Sequence, residues 1–132
     1  ALNKLKPFWE IPHGEFREPL LGGGSVFFAK PKSQYNWLND IHEDLINTYK
    51  IIANTKTREE LIQMVETEEA SKERHYEVKN FNPKSDLERA FQYFYLNRTS
   101  FSGKMRSPSW GYRPKRSLPR PKNDAFAKSL AE

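Results

Sequence analysis

Two groups of residues in this sequence have the types and spacing to do chemistry. The first is Gly22-Gly23-Gly24 at the end of a short apolar run, with Asp40 18 residues beyond Gly22 and 16 beyond Gly24. Consecutive glycines cost backbone entropy, so a tight turn or a close approach to the backbone must require them. A glycine turn that follows a strand and opens a helix leaves backbone amides at the carboxyl edge of a sheet, where a nucleotide-like ligand can approach. An acidic residue at the end of the next strand, about 20 residues on, is placed to accept from ribose hydroxyls. The pattern is G-G-G rather than G-x-G-x-x-G, and no Lys-Ser/Thr pair follows. Pyrophosphate is therefore not implied, and the residues point to an adenosine-type ligand. The alternative is a bare tight turn with Asp40 as a helix cap.

The second group is a block of one-sign charge. Residues 1–88 carry 12 basic and 15 acidic side chains, whereas residues 89–122 carry 9 basic and no acidic ones. Aromatic residues are interleaved with these charges: Phe91, Tyr93, Phe94, Tyr95, Phe101, Trp110 and Tyr112. A basic stretch of this kind is the electrostatic footprint of a polyanion partner, and the rings argue against a simple solvated tail.

The totals bound the rest. With 132 residues, 36% hydrophobic and 14% aromatic, the chain has the size and bulk of one ordinary domain. It has no cysteine, which excludes disulfides and thiolate metal sites and fits an intracellular protein. His13, His42 and His75 lack ligand spacing and read as structural or surface residues, so no metal is expected. No window approaches the roughly 18 apolar residues of a membrane span.

Elements must position these groups. Glu15–Leu20 reads as a strand, Gly24–Ala29 as a helix, Pro31–Ser33 as a turn and Tyr35–Leu38 as a second strand, together a compact βαβ unit. Asp40 and Glu43 form the pattern of a capping box, with Ile41, Leu45, Tyr49 and Ile52 at helical spacing behind it. Thr57 and Glu60 open a further helix carrying Leu61, Met64 and Val65. The charged segment Thr67–Lys79 predicts a solvated helix or a mobile connection. Ser85 and Glu88 cap a helix whose Leu87, Ala90, Phe91, Phe94 and Tyr95 form one apolar face. After Leu96 the composition turns to Gly, Pro, Ser and Arg without helical period.

With these elements in place, Glu18-Pro19-Leu20-Leu21-Gly22-Gly23-Gly24, Asn39-Asp40 and Asp44-Leu45-Ile46-Asn47 resemble motifs of the Dam-type, D12 class adenine-specific DNA methyltransferases. Those enzymes carry E-P-F-x-G-G-G, N-D and D-L-I-N in this order, and Leu20 replaces the usual phenylalanine. Residues 97–106 also resemble the family's DNA-contacting hairpin, and the likeness extends over about residues 8–118. It implies an α/β fold: the start of a Rossmann-like class I methyltransferase sheet, followed by a mainly helical target-recognition domain with a basic hairpin. The implied domains are 1–54 for the cofactor-binding part, 55–118 for recognition, and an unassigned 119–132. The cofactor would be S-adenosylmethionine, held by Glu18, Pro19, Leu20, Gly22, Gly23, Gly24 and Asp40.

The resemblance also implies double-stranded DNA as partner. Asn97, Arg98, Phe101, Ser102, Lys104, Arg106, Arg113, Lys115 and Arg116 would contact it, with Phe101 against the base stack and Arg106 on a base edge. The reaction would be methyl transfer to adenine N6, in the cytoplasm of a bacterial or phage-infected cell. The family's D-P-P-Y tetrapeptide and N-terminal G-G-K element are not found in these residues. No catalytic residue is therefore assigned, and the chain alone is not expected to be active. A further segment or subunit would carry the catalytic motif. The alternative is a non-enzymatic DNA-binding subunit or a degenerate methyltransferase.

Overall fold

The computed structural model describes residues 2–111. The chain divides into two compact units, residues 1–46 and 47–132, which are taken in turn.

The first unit opens with α1 (Leu2–Trp9), followed by β1 (Glu15–Glu18), α2 (Ser25–Ala29) and β2 (Tyr35–Leu38). The two strands pair in parallel, with Glu15 opposite Tyr35 and Glu18 opposite Leu38. The expected βαβ arrangement is present, and α2 is its crossover. Phe16 of β1 and Phe27 of α2 stack at 6.4 Å, which fixes the crossover to the sheet. Lys30 is buried beside them. Its ammonium sits 4.3 Å from the centre of the Phe16 ring and donates to the Pro31 carbonyl at 2.7 Å and Ser33 Oγ at 3.0 Å. These contacts explain how a lysine tolerates burial. Alternation along β2 puts Tyr35 and Trp37 on one face, and both are exposed.

α3 (Glu43–Ala53) begins later than its sequence pattern suggests. Asp40 and Glu43 form no capping box. Asp40 instead accepts from the backbone of Gly22 and His42, and His42 Nδ1 accepts from Leu45 N at 3.3 Å. Ile41 precedes the helix and is exposed. The helix starts at Glu43, so the residue just before it is His42 rather than Asp40, and it is His42 that meets the Leu45 amide.

The second unit is helical: α4 (Thr55–Glu66), α5 (Lys72–Asn80) and α6 (Asp86–Thr99). Its core joins Ile51 of α3, Leu61 and Val65 of α4, Val78 of α5 and Ala90, Phe91, Tyr95 and Leu96 of α6. The cap of α4 is Asn54, whose side chain accepts from Lys56 N and Thr57 N, so the helix starts before the Thr57–Glu60 signal. Ser85 caps α6 as the sequence predicts, accepting from Glu88 N at 3.1 Å. Glu88 reaches back to Lys84 N rather than to Ser85 N.

In the charged segment 67–79 the helical expectation holds, but the helix is not wholly solvated. The segment contains an ordered helix, α5, capped by Ser71 and burying His75 and Val78. Arg74 grips Glu68 through two contacts of 2.7 Å and Glu77 through one of 3.0 Å, and these carboxylates raise its pKa further. Tyr95 on α6 donates to the Glu69 carbonyl at 2.7 Å, and its burial pushes the phenol up to about 12. The charges thus pair along one side while the other side packs.

Leu61 is fully buried at the centre of this core. Replacing it with alanine is expected to cost about 2–5 kcal/mol. The exposed Glu59→Ala change should stay within about 0.5 kcal/mol. Urea unfolding followed by circular dichroism measures both.

Candidate functional site

The glycine turn is built from both strands. At its start Leu21 is buried and its N–H donates to Asn39 O at 2.8 Å, extending the parallel pairing past the strand ends. Gly24 N then donates to Leu21 O at 2.9 Å, closing a tight turn. Gly22 (φ 50°) and Gly24 (φ 67°) occupy the left-handed region that disfavours side chains. Gly24 is also the N-cap residue of α2. Gly23 has no positive φ, and a Cβ built there would meet nothing within 4 Å. Two of the three glycines are therefore required by backbone geometry. The middle one is required by nothing within the described residues.

Asp40 lies across the turn from these glycines. Its Oδ2 accepts from Gly22 N at 2.8 Å, and its Oδ1 accepts from His42 N at 3.0 Å. Those two amides, Gly22 first, hold its carboxyl below the usual carboxylate range. A carboxylate oxygen has two lone pairs, so each oxygen can accept one further bond. Glu18 ends β1, and its Oε2 is buried without a hydrogen-bond partner among the described residues. Pro19 continues the chain from it, and Leu20 stands 80% exposed beside the turn. The structure therefore brings Glu18, Pro19, Leu20, Gly22, Gly23, Gly24 and Asp40 to one edge of the sheet.

The basic segment also takes a definite form. Asn97 and Arg98 belong to the last turn of α6, so the helix runs past Leu96. Residues 100–110 make a loop whose ends are joined by an antiparallel bridge between Ser100 and Trp110. Phe101 N donates to Ser109 O, and Gly111 N donates to Thr99 O, both at 3.0 Å. The strands at the neck run so close that a Cβ on Gly111 would collide with the backbone of Phe101. Met105 packs against the helical core. Asn97 Nδ2 donates to Gly103 O at 3.4 Å. With the loop anchored this way, Phe101 is 59% exposed, and Ser102, Lys104 and Arg106 are exposed too. Arg98 instead lies over the Phe94 ring at 5.5 Å. Arg113, Lys115 and Arg116 lie outside the described residues. Sequence reasoning missed Asn97 as a brace, Met105 as an anchor and Gly111 as a crossing point, because each role depends on a neighbour distant in the chain.

The family model for D12 class N6 adenine-specific DNA methyltransferases matches residues 6–126. The chain belongs to this family. Among its relatives is the type II methyltransferase M.CviBI of Paramecium bursaria Chlorella virus NC1A. That protein is 32% identical over 79% of this chain and 41% of its own length. The type II methyltransferase M.MjaIII of Methanocaldococcus jannaschii is 34% identical over 71% of this chain and 39% of its own length. The DNA adenine methylase of Salmonella typhi is 39% identical over 70% of this chain and 35% of its own length. The chain thus spans about two fifths of the length of the first two relatives. The family match covers both the glycine turn and the loop. Among the described residues no helix is long and apolar enough to cross a membrane.

The Asp40 contacts make a pH prediction. A carboxyl depressed in the fold stabilises the turn fully above its unfolded pKa of about 3.9 and loses that contribution as pH falls through the lower folded value. The Gly22 amide resonance should therefore hold its position from pH 7 to about 4 and move below it. In Asp40→Asn the same resonance should be displaced at pH 7 and show no such acid step.

Proposed function

We infer that this chain holds S-adenosylmethionine at the glycine turn and reads double-stranded DNA with the loop at 100–111, as part of an N6-adenine DNA methyltransferase. The observation that carries the cofactor reading is Gly23, bare where neither φ nor packing asks for glycine. A flat ligand lying against the turn is a physical reason for the missing Cβ.

The donor set fits that cofactor. Asp40 is ionised, preorganised by two amides, and has lone pairs to accept from two ribose hydroxyls. Glu18 offers a buried acidic oxygen without a partner among the described residues, suited to a cationic group such as the methionyl ammonium. Leu20 and Ile41, both exposed beside the turn, supply apolar surface for an adenine ring. S-adenosylmethionine carries a methyl group activated by its sulfonium. In this reading the chain's own residues bind and orient that molecule. No D-P-P-Y run occurs in the sequence, and methyl transfer is assigned to residues outside it.

In the same reading β1, α2 and β2 begin a Rossmann-like sheet. Residues 55–118 are the target-recognition domain. Phe101 is a wedge for the gap left by a flipped adenine. Arg106 donates to a guanine edge, and Lys104 contacts phosphate. Ser102, Asn97 and Arg98 contribute around them, and Arg113, Lys115 and Arg116 are assigned to phosphate contacts. The protein works in the cytoplasm of a bacterial or phage-infected cell.

Titration of the 132-residue chain with S-adenosylmethionine in a calorimeter tests the first half. Binding is expected, with a loss of at least tenfold in Asp40→Ala, and an unchanged affinity would refute the ribose role. For the second half, duplexes carrying GATC and its single base-pair variants are compared with a scrambled duplex. Arg106→Ala should remove discrimination at one base pair, worth about 1–3 kcal/mol, whereas Lys104→Ala should weaken every duplex alike. Equal losses on all duplexes for Arg106→Ala would refute its assignment.

A further inference from the structure

His75 is fully buried on α5, and nothing in cofactor binding or DNA contact uses it. Its position explains it. On one side its Nδ1 lies 2.7 Å from Thr99 Oγ1, at the end of α6 where the loop departs. On another, its ring meets the Trp110 indole edge-on at 5.8 Å between centroids, where the loop returns. One side chain therefore touches both roots of the loop, beside the bridge that joins Ser100 and Trp110.

The Thr99 hydroxyl stands between His75 Nδ1 at 2.7 Å and the Tyr95 carbonyl at 2.9 Å, and its single proton serves one of the two. Nε2 is buried as well. A second proton on the ring would have to be carried in this buried setting. Burial opposes it and lowers the histidine pKa, the Lys79 charge on α5 acts in the same direction, and the Pro108 carbonyl of the loop acts against both. Also at the ring are the Tyr76 phenol ring of α5, edge-on at 5.1 Å between centroids, the Thr99 hydroxyl from α6 and the Trp110 indole from the loop.

We propose that His75 is the positioning residue of the DNA-reading loop, holding residues 100–111 on the helical unit through Thr99 at one root and Trp110 at the other. Phe101, Ser102, Lys104 and Arg106 then project from a fixed frame. Sequence discrimination, which needs an arginine placed to within a fraction of an ångström, depends on that frame. Long-range attraction to phosphate does not.

The proposal rests on the DNA reading of the loop, so its test has one arm that needs no DNA. With Trp9→Phe and Trp37→Phe in the background, Trp110 becomes the sole tryptophan, and its emission and quenching by acrylamide report the loop root. His75→Leu, which fills the volume without a polar atom, should shift this emission to the red and raise quenching at least twofold. His75→Asn, which keeps a hydrogen-bonding group near the Nδ1 position, should restore much of the original signal. Unchanged Trp110 emission in His75→Leu would overturn the proposal whatever the DNA arm shows.

In the DNA arm, His75→Leu should reduce the ratio of specific to scrambled duplex affinity at least tenfold while leaving scrambled binding within twofold. Equal losses on both duplexes would overturn the positioning role. A parent chain with no duplex preference would refute the DNA reading and leave the Trp110 arm to judge the loop anchor. Thr99→Val provides a second route should His75→Leu unfold. It should reproduce part of the red shift, and combining it with His75→Leu should add little, because both remove the His75–Thr99 contact. Additive effects would overturn the linkage.

Discussion

The candidate site depends on the hydrogen bond from the Gly22 amide to the Asp40 carboxylate. It crosses from the end of one strand to the end of the other at the point where their ladder stops. Without it, the turn would keep only its backbone bonds, Leu21 N to Asn39 O and Gly24 N to Leu21 O, and Asp40 would lose the contact that aims it across the sheet edge. Both oxygens are engaged by backbone amides, so the carboxylate stays ionised and fixed in direction. A ligand that accepts this geometry meets a preorganised acceptor and loses little in ordering it.

The helical unit solves a different problem. The loop at 100–110 leaves Phe101, Ser102, Lys104 and Arg106 in solvent, so it can be fixed only from below. Met105 in the core, Asn97 at Gly103, the Gly111 crossing and His75 at both roots supply that fixation. The one-sided burial of α5 is part of it. Arg74 gathers Glu68 and Glu77 outside, while Val78 and His75 face inward. A segment that is mostly charged can therefore serve as the wall of a core, provided the charges pair along one side.

The family match and the geometry support each other at different places. The match spans residues 6–126, across both the glycine turn and the loop. The geometry adds a distinction within the glycines that the motif alone does not make. Gly22 and Gly24 serve the turn, whereas neither backbone angle nor packing among the described residues asks for glycine at 23.

The sequence by itself determined the strands, the short crossover helix, the Ser85 cap and the apolar face of α6, because each is written in neighbours a few residues apart. It also marked Gly22–Gly24 and Asp40 as one site, since their separation is set by a single βαβ unit. Only the tertiary structure decided what Asp40 does, because a carboxylate that can bond either the next helix or the opposite turn chooses by distance. The same holds for the α4 cap, where Asn54 outcompetes the Thr57 signal, and for α5, whose high charge hid one inward side. His75 is the clearest case. Nothing near it in the chain predicts a role, and its partners Thr99 and Trp110 reach it only when α5 and α6 pack. A side chain whose function lies in contacts 24 or more residues away is settled by packing.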